Sequence, residues 1–389
     1  MLQAARHTVT RVRVRACVWP QKCHGRGVWY GLLTVWLVVA VHVTLLNRPR
    51  TAHPALARAC YAQSDNQFRP RNTCCRLLNY TRGDVAACVK NAATAFSLMQ
   101  SPGAEPHFHS PNEYLVRFRP SPGAVGEAGS PQQEFPGWAW VVAGDSRMRQ
   151  VFSALVSRLS SPRLKYKKPS TGDKWRSVHE LLEPLRIGKL HEDIELYHMD
   201  LPLRLLFLWD PQLLRMPKMV QEWTSRNNTP PSLLLLGTGL HWMKGNLDKH
   251  QTKGPEAAME DFQDHMKNLV PQLDKLTASS NIVIQLQDHI QESQIFPKYQ
   301  GIYSNQNINR YNNYLKYIVS ATKITLWDSN IPFSETYFSE CMKNKKISHD
   351  KTWNCGNPLH TGYVMVEEYA NMVLNDVCNP YLQLGETFC

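Results

Sequence analysis

The chain has 389 residues and a formal net charge of +12 at pH 7. Hydrophobic residues make up 43% of it and aromatic residues 10%, values that are typical of folded proteins and exclude an intrinsically disordered chain. Eight Lys and Arg residues, with no Asp or Glu, lie within residues 1–50. Much of the positive charge therefore indicates membrane orientation, and we expect no nucleic-acid partner.

An uninterrupted apolar run over residues 28–46 predicts a transmembrane helix. At about 1.5 Å per residue the run is about 28 Å long, close to the thickness of a hydrocarbon core. Six basic residues precede it and two follow, so residues 1–27 are predicted to be a cytosolic tail and the rest lumenal. This predicts a single-pass type II protein of the Golgi or another secretory-pathway membrane, with the lipid bilayer as a partner. The alternative is a cleaved signal peptide, which the long apolar run without a following small-residue cleavage site disfavours.

Cysteine usage agrees with this orientation. Two cysteines, Cys17 and Cys23, lie on the cytosolic side, and eight lie beyond the apolar run: Cys60, Cys74, Cys75, Cys88, Cys341, Cys355, Cys378 and Cys389. An even number of cysteines in an oxidising compartment predicts up to four disulfides, whose pairing the sequence leaves open.

Residues 47–136 are interpreted as a cysteine-rich stem and the N-terminal part of the lumenal domain. His107 and His109 have no further ligand-type residues around them in the sequence, so we expect surface residues rather than a metal site. No metal and no cofactor are expected. Two sequons predict glycosylation at Asn79 and Asn227.

Residues 137–389 predict an α/β domain, because short apolar runs alternate with amphipathic segments of 3.6-residue period. The predicted strands cover residues 138–143, 205–209, 233–236, 282–286 and 323–327. Predicted helices follow residue 146 and lie near residues 256–278, 307–320 and 362–377. This alternation indicates a parallel sheet covered on both faces, with the functional site at the carboxyl ends of the strands.

The first predicted strand runs directly into Gly144, Asp145, Ser146 and Arg147 at the start of a helix. A serine at this position has the free N–H groups and the dipole of the helix N-terminus beside it, which stabilise negative charge on a reacting oxygen. The alternative is that Asp145 or Ser146 only caps the helix. A serine nucleophile needs a base, and His360, just before the last helix, is the best candidate.

Gly144-Asp145-Ser146 together with Asn357-x-x-His360 resembles the SGNH/GDSL hydrolases. The resemblance is closest to the PC-esterase-like lumenal domain of the animal sialic acid O-acetyltransferase, with plant trichome-birefringence-like polysaccharide O-acetyltransferases more distant. It implies an SGNH-like three-layer α/β fold. The resembling stretches follow the family order over residues 137–379: 144–152, 207–211, 236–242, 285–288, 308–312, 357–360 and 377–379.

By this resemblance Ser146 is the nucleophile that accepts the acyl group, and His360 is its general base and acid. The backbone N–H of Ser146 contributes to the oxyanion hole. Gly237 and Gly239, with Thr238 between them, occupy the block from which the second oxyanion donor is expected. The family's Asn of that block has no clear equivalent here, so the second donor stays open.

Four residues are candidates for substrate binding: Asp145, Arg147, His241 and Trp242. For Arg147 two interpretations stay open. Its guanidinium either holds an anionic group of the substrate, such as a sugar carboxylate, or forms a structural salt bridge at the start of the helix.

Asn357 departs from the family pattern, which has Asp at this position. An amide carries no charge to stabilise an imidazolium and can select the wrong imidazole tautomer; in serine proteases the equivalent change costs about 10⁴ in kcat. Three alternatives stay open. A Ser146–His360 dyad suffices, another carboxylate such as Asp350 or Asp328 substitutes, or the domain is a weak or inactive enzyme.

The resulting prediction is a membrane-anchored O-acyl esterase or transferase, with O-acetyl the expected group, acting on glycans through a serine acyl-enzyme. The family's acyl-donor function is expected from a separate protein. The alternative is a non-catalytic glycan-binding or scaffold protein of the same fold. A nucleotide-dependent glycosyl- or sulfotransferase is disfavoured, because the sequence has neither an Asp-x-Asp metal motif nor a Gly-rich phosphate loop after a strand.

Overall fold

The computed structural model describes residues 61–64, 67–70, 78–99, 138–171, 174–188, 190–225, 229–344, 347 and 350–382. All of these belong to one compact unit, Ala52–Cys389. The predicted tail and transmembrane helix lie outside the described residues. Within the described ranges, no helix has the length and apolar character needed to cross a membrane.

The strands and helices alternate through most of the chain. The strands are β1 (Tyr61–Ser64), β2 (Gln67–Pro70), β3 (Trp138–Gly144), β4 (Leu164–Lys167), β5 (Arg176–Ser177), β6 (Ile194–His198), β7 (Leu203–Trp209), β8 (Leu233–Gly237), β9 (Asn281–Gln285) and β10 (Thr325–Trp327). The helices are α1 (Arg82–Met99), α2 (Ser146–Leu159), α3 (His179–Arg186), α4 (Met216–Thr224), α5 (Leu240–Gly245), α6 (Leu247–Lys253), α7 (Pro255–Leu276), α8 (Asn305–Val319), α9 (Asn330–Lys343) and α10 (Tyr363–Cys378).

An eight-stranded mixed sheet forms the centre of the fold, in the order β10-β9-β8-β3-β7-β6-β4-β5. The five strands from β10 to β7 are parallel, which confirms the α/β architecture predicted from the sequence. The remaining strands β6, β4 and β5 pair antiparallel at one edge and were not predicted. They are short, and charged residues alternate with their buried ones, so they carry no apolar run of the kind that marks a buried parallel strand. β1 and β2 form a separate antiparallel pair.

Alternation along β3 creates two hydrophobic cores, one on each face of the sheet. Trp138, Trp140 and Val142 enter the core that is covered by α1, α2, α3 and α10. Val141 and Ala143 enter the opposite core, which is covered by α4, α7 and α8. Because β7 and β8 pair with opposite sides of β3, the chain changes direction around β3, and such a switch point leaves a crevice at the carboxyl ends of the strands.

Two disulfides lie in the described part of the chain. Cys88–Cys378 joins α1 to α10, and Cys341–Cys355 joins α9 to the segment before His360. Disulfides are typical of proteins in oxidising compartments. The other cysteines of the predicted lumenal part, Cys60, Cys74, Cys75 and Cys389, lie outside the described residues.

We expect the Cys88–Cys378 disulfide to contribute more stability than Cys341–Cys355. The bonded residues are 290 positions apart in the first and 14 in the second. In the chain-entropy model, loss of the long-range disulfide lowers the free energy of unfolding by about 6 kcal/mol and loss of the short-range one by about 3 kcal/mol. Urea unfolding of the two double Cys→Ser variants measures both values. Equal losses would contradict the prediction.

Candidate active site

The turn between β3 and α2 presents Ser146 at the start of a helix. Gly144 has φ +149°, and a Cβ at this position would collide with the carbonyl oxygen of Gly237 on the neighbouring strand β8. A glycine is therefore required for the tight turn. Asp145 caps α2, because its Oδ1 accepts a hydrogen bond from the backbone N–H of Arg147 at 2.9 Å. Of the two interpretations of Asp145, helix capping and substrate binding, this contact matches capping. Ser146 follows as the first residue of the helix.

Ser146 and His360 lie in direct contact, although they are 214 residues apart. Ser146 Oγ is 2.6 Å from His360 Nε2. His360 Nδ1 is in turn 3.1 Å from the Oδ1 of Asn357. The three side chains predicted as the catalytic group are therefore brought together in the order nucleophile, imidazole and orienting residue.

The Asn357 amide has a fixed orientation. Its Oδ1 also accepts hydrogen bonds from the backbone N–H groups of Leu359 at 3.1 Å and His360 at 3.2 Å. Backbone N–H groups can only donate, so the atom that faces them and the imidazole is the oxygen. His360 Nδ1 must then carry the proton, which leaves the lone pair of Nε2 directed at Ser146. The oriented amide thus selects the tautomer that can accept the serine proton.

Positive charge surrounds His360. Burial, together with the charges of Arg147, Arg149 and His241, lowers the pKa of His360 to about 3. The imidazole is therefore neutral at physiological pH and free to accept a proton. The same charges disfavour the imidazolium that forms during proton transfer.

The two carboxylates named as substitutes for Asn357 have other surroundings. Asp350 accepts hydrogen bonds from the N–H and Oγ1 of Thr352. Asp328 lines a surface cavity with Asn309 and Lys316. The Asp288 carboxylate lies 3.4 Å from Nη1 of Arg147, the residue after Ser146.

Arg147 makes a structural connection from the nucleophile's helix to the catalytic loop. Its Nε and Nη2 both donate to the carbonyl oxygen of Leu359, at 3.0 and 2.6 Å, directly before His360. Its Nη1 donates to the carbonyl oxygen of Asp288 at 3.0 Å and lies 3.4 Å from the Asp288 carboxylate. Of the two interpretations of Arg147, these contacts match the salt bridge, and they occupy the guanidinium without a substrate.

Asp288 is 3% exposed, so its charge is stabilised by protein groups alone. Burial raises the pKa of this carboxyl, and the charge of Arg147 lowers it. Asp288 Oδ1 also accepts hydrogen bonds from Asn330 Nδ2 and the Tyr369 hydroxyl. The pair thereby joins the segment after β9 to α9, α10 and the turn of Ser146.

The last residue of β8, Gly237, lies next to the Ser146 turn, since it is paired with Gly144. Neither the backbone N–H of Ser146 nor that of Gly239 donates a hydrogen bond to any residue that the structure describes. Both are therefore free to donate to a ligand. Their function as oxyanion donors stays a prediction.

The remaining predicted substrate contacts have different surroundings. Trp242 is 5% exposed, and its ring packs against Phe262 and His265 in the core. His241 is half-buried and lies edge-on to Trp209, with 6.0 Å between the ring centroids. Burial lowers the pKa of His241, so its imidazole is neutral at physiological pH and acts on the charge of His360 only when it is protonated.

Sequence reasoning missed Arg149, whose charge also acts on His360. It lies three residues after Ser146 on α2. Positions i and i+3 share one face of a helix, so this spacing was the available signal.

No known protein family that was compared with the chain matches it. Asn79 is exposed, as glycosylation at this sequon requires, and Asn227 lies outside the described residues. No group of three or more His, Cys, Asp or Glu side chains arranged to hold a metal ion occurs in the described ranges. His107 and His109 lie outside them.

Loss of Arg147 should destabilise the protein much more than loss of an exposed arginine. Arg147→Met leaves Asp288 buried without a counter-charge, which costs about 3–5 kcal/mol. Arg163→Met removes the exposed pair with Asp200 and is the control, because solvent screens an exposed pair and its loss should leave the stability nearly unchanged. Urea unfolding measures both, and Arg147→Met combined with Asp288→Asn should recover part of the loss. Equal effects of Arg147→Met and Arg163→Met would exclude a buried ion pair as the connection.

Proposed function

We propose that the chain is a serine esterase or transferase that moves an O-acyl group, in the simplest case acetyl, on a glycan. The 2.6 Å contact between Ser146 Oγ and His360 Nε2 carries this proposal. The position of Ser146 after a central parallel strand, with helices on both faces of the sheet, is compatible with an SGNH-like three-layer fold. The PC-esterase-like assignment rests on the sequence resemblance.

The proposed reaction has two half-reactions. Ser146 Oγ attacks the ester carbonyl carbon while His360 Nε2 takes the hydroxyl proton. The tetrahedral intermediate collapses, His360 returns the proton to the departing sugar oxygen, and the acyl group stays on Ser146. Water or another sugar hydroxyl then attacks the acyl carbon while His360 Nε2 accepts its proton. The bond between the acyl carbon and Ser146 Oγ breaks, and His360 returns the proton to Ser146 Oγ. The free N–H groups of Ser146 and Gly239 are the proposed donors to the oxyanion.

The charges of the site support a base that works without a carboxylate. Asn357 selects the productive tautomer, and Arg147, Arg149 and His241 keep His360 neutral. The positive charge of Arg147 and Arg149 also favours negative charge on the intermediate. The proposed dyad is therefore a weak base beside a strongly stabilised oxyanion.

We also propose that the domain is lumenal and anchored in a Golgi or other secretory-pathway membrane by residues 28–46. The basic tail, the two disulfides and the exposed sequon at Asn79 support this orientation. The proposed acyl donor is a separate protein.

The nucleophile is tested with a fluorophosphonate, which labels activated serines. The full-length chain should be labelled at Ser146, as measured by mass spectrometry, and should hydrolyse p-nitrophenyl acetate. Ser146→Ala and His360→Ala should each lower kcat by at least about 10³-fold. Ser157→Ala, at an exposed position of the same helix, is the control and should change neither labelling nor rate. Unlabelled protein, or undiminished hydrolysis by Ser146→Ala, would refute the mechanism.

Asn357→Asp should increase the esterase activity at neutral pH and should narrow the pH range of that activity on the acid side. A carboxylate beside Nδ1 raises the pKa of His360 from about 3, so the acid limb of kcat moves to higher pH. The increase in kcat has an upper limit of about 10⁴-fold, the cost of the reverse change in serine proteases. Asn268→Asp, exposed on α7, controls for added charge. An unchanged acid limb would contradict the assignment of Asn357 to His360.

The second candidate function is a glycan-binding protein that retains the fold without catalysis. The neutral Asn357 favours it, because no carboxylate supports the imidazolium. It predicts no hydrolysis by the natural chain, the appearance of hydrolysis in Asn357→Asp, and glycan binding that Ser146→Ala leaves unchanged on an array.

A further inference from the structure

Two buried arginines near the start of α2 differ in whether a carboxylate pairs with the guanidinium. Arg147 is paired with Asp288. Arg149 is 5% exposed, and none of the ion pairs among the described residues includes it. The carboxylate that acts on it from a distance, Asp145, is occupied as the cap of α2. A buried guanidinium without a counter-charge is costly, so its retention calls for a ligand.

One edge of the Arg149 guanidinium is free. Nη1 donates to the carbonyl oxygen of Leu190 at 2.8 Å. Nε is buried without an acceptor, and Nη2 donates to no residue that the structure describes. Nε and Nη2 carry parallel N–H groups on the same edge, the arrangement that binds a carboxylate, phosphate or sulfate through two hydrogen bonds.

The backbone at Gly188 and the ring of Trp209 lie next to the Arg149 guanidinium. A Cβ at Gly188 would lie 2.9 Å from Arg149 Nη2, so a glycine, here with φ +75°, is needed for the close approach. Trp209 lies on the other side, with its ring 5.5 Å from the Arg149 Cζ. The rings of His191 and His241 stand edge-on to Trp209 at 4.6 and 6.0 Å.

This cluster adjoins the proposed nucleophile. Trp209 ends β7 and is paired in register with Gly144, two residues before Ser146. Arg149 follows Ser146 by one helical turn, and its charge lowers the pKa of His360. A negative charge bound at Arg149 therefore acts on the catalytic imidazole.

We propose that the Nε–Nη2 edge of Arg149 is an oxyanion-binding site beside Ser146, and that the bound anion supplies negative charge that Asn357 cannot. The ligand class is a carboxylate, phosphate or sulfate group, either free or carried by the substrate. The binding of an anion at Arg149 goes beyond the proposed function, whereas the effect of that anion on the basicity of His360 rests on the proposed function. The bound anion offsets the positive charge of Arg149. The other groups whose charge acts on His360 are His241 and Arg147, and Arg147 is already paired with Asp288. His360 becomes a stronger base.

Binding is tested with inorganic sulfate and the full-length Ser146→Ala chain by isothermal titration calorimetry. This variant removes the nucleophile, so the measurement does not depend on catalysis. Sulfate should bind at one site, and the affinity should fall at least about tenfold when Arg149→Met or Arg149→Lys is added. Arg149→Lys keeps the charge but loses the two-donor edge. Arg163→Met, at the exposed pair with Asp200, should bind sulfate unchanged.

The effect on catalysis is tested with two acetyl esters. Sulfate should raise kcat/KM for neutral p-nitrophenyl acetate several-fold and move the acid limb to higher pH, and Arg149→Lys should abolish both changes. With an acetyl ester that carries a carboxylate, competitive inhibition by sulfate indicates that the substrate's own anion fills the site, and activation indicates a free anion.

Two results would overturn the proposal: no sulfate binding by the Ser146→Ala chain, or equal binding after Arg149 is replaced. The proposed function fails separately. If sulfate binds at Arg149 but no fluorophosphonate labels the chain, the anion site is supported and the esterase function is refuted. If Ser146 is labelled but sulfate does not bind, the esterase function is supported and the anion site is refuted.

Discussion

The buried ion pair between Arg147 and Asp288 connects the parts of the chain that form the site. Arg147 lies in the first turn of α2, directly after β3, and Asp288 follows β9. Arg147 also donates to the carbonyl oxygen of Leu359, the residue before His360 in the loop that precedes α10. A buried guanidinium and carboxylate must stay together, because separating them leaves an uncompensated charge in the interior. The position of His360 against Ser146 is therefore set by a constraint that is much stronger than the hydrogen bond between the two side chains.

Orientation and charge are separate contributions of the third residue in a catalytic triad, and Asn357 provides one of them. Its oxygen is held toward His360 Nδ1 by two backbone N–H groups, so the imidazole has the correct tautomer. It offers no negative charge to the imidazolium. The local field is positive instead, which favours the neutral imidazole and the oxyanion. The proposed mechanism therefore depends on oxyanion stabilisation more than on the strength of its base.

The topology of the sheet explains why these groups meet. β7 and β8 lie on opposite sides of β3, so Trp209 and Gly237 both lie next to Gly144 at the carboxyl ends of the strands. The turn after β8 supplies the N–H of Gly239, which donates to no described residue, and the end of β7 supplies the aromatic ring beside Arg149. The proposed nucleophile Ser146 is thus placed between the proposed oxyanion donors and the proposed anion site.

The amino-acid sequence by itself determined the five parallel strands, the four long helices that were predicted and the identity of Ser146, Asn357 and His360 as the candidate site. Apolar runs and 3.6-residue periods are local properties, so they can be recognised without a structure. The edge strands were missed because short strands with alternating charges have no such pattern. Only the tertiary structure decided that Arg147 is paired and that Arg149 has no ion-pair partner among the described residues. Asp288 is 141 residues from Arg147 in the sequence, so the pair forms only in the folded chain. The orientation of the Asn357 amide also depended on the folded loop, because only there do backbone N–H groups and the imidazole converge on one oxygen.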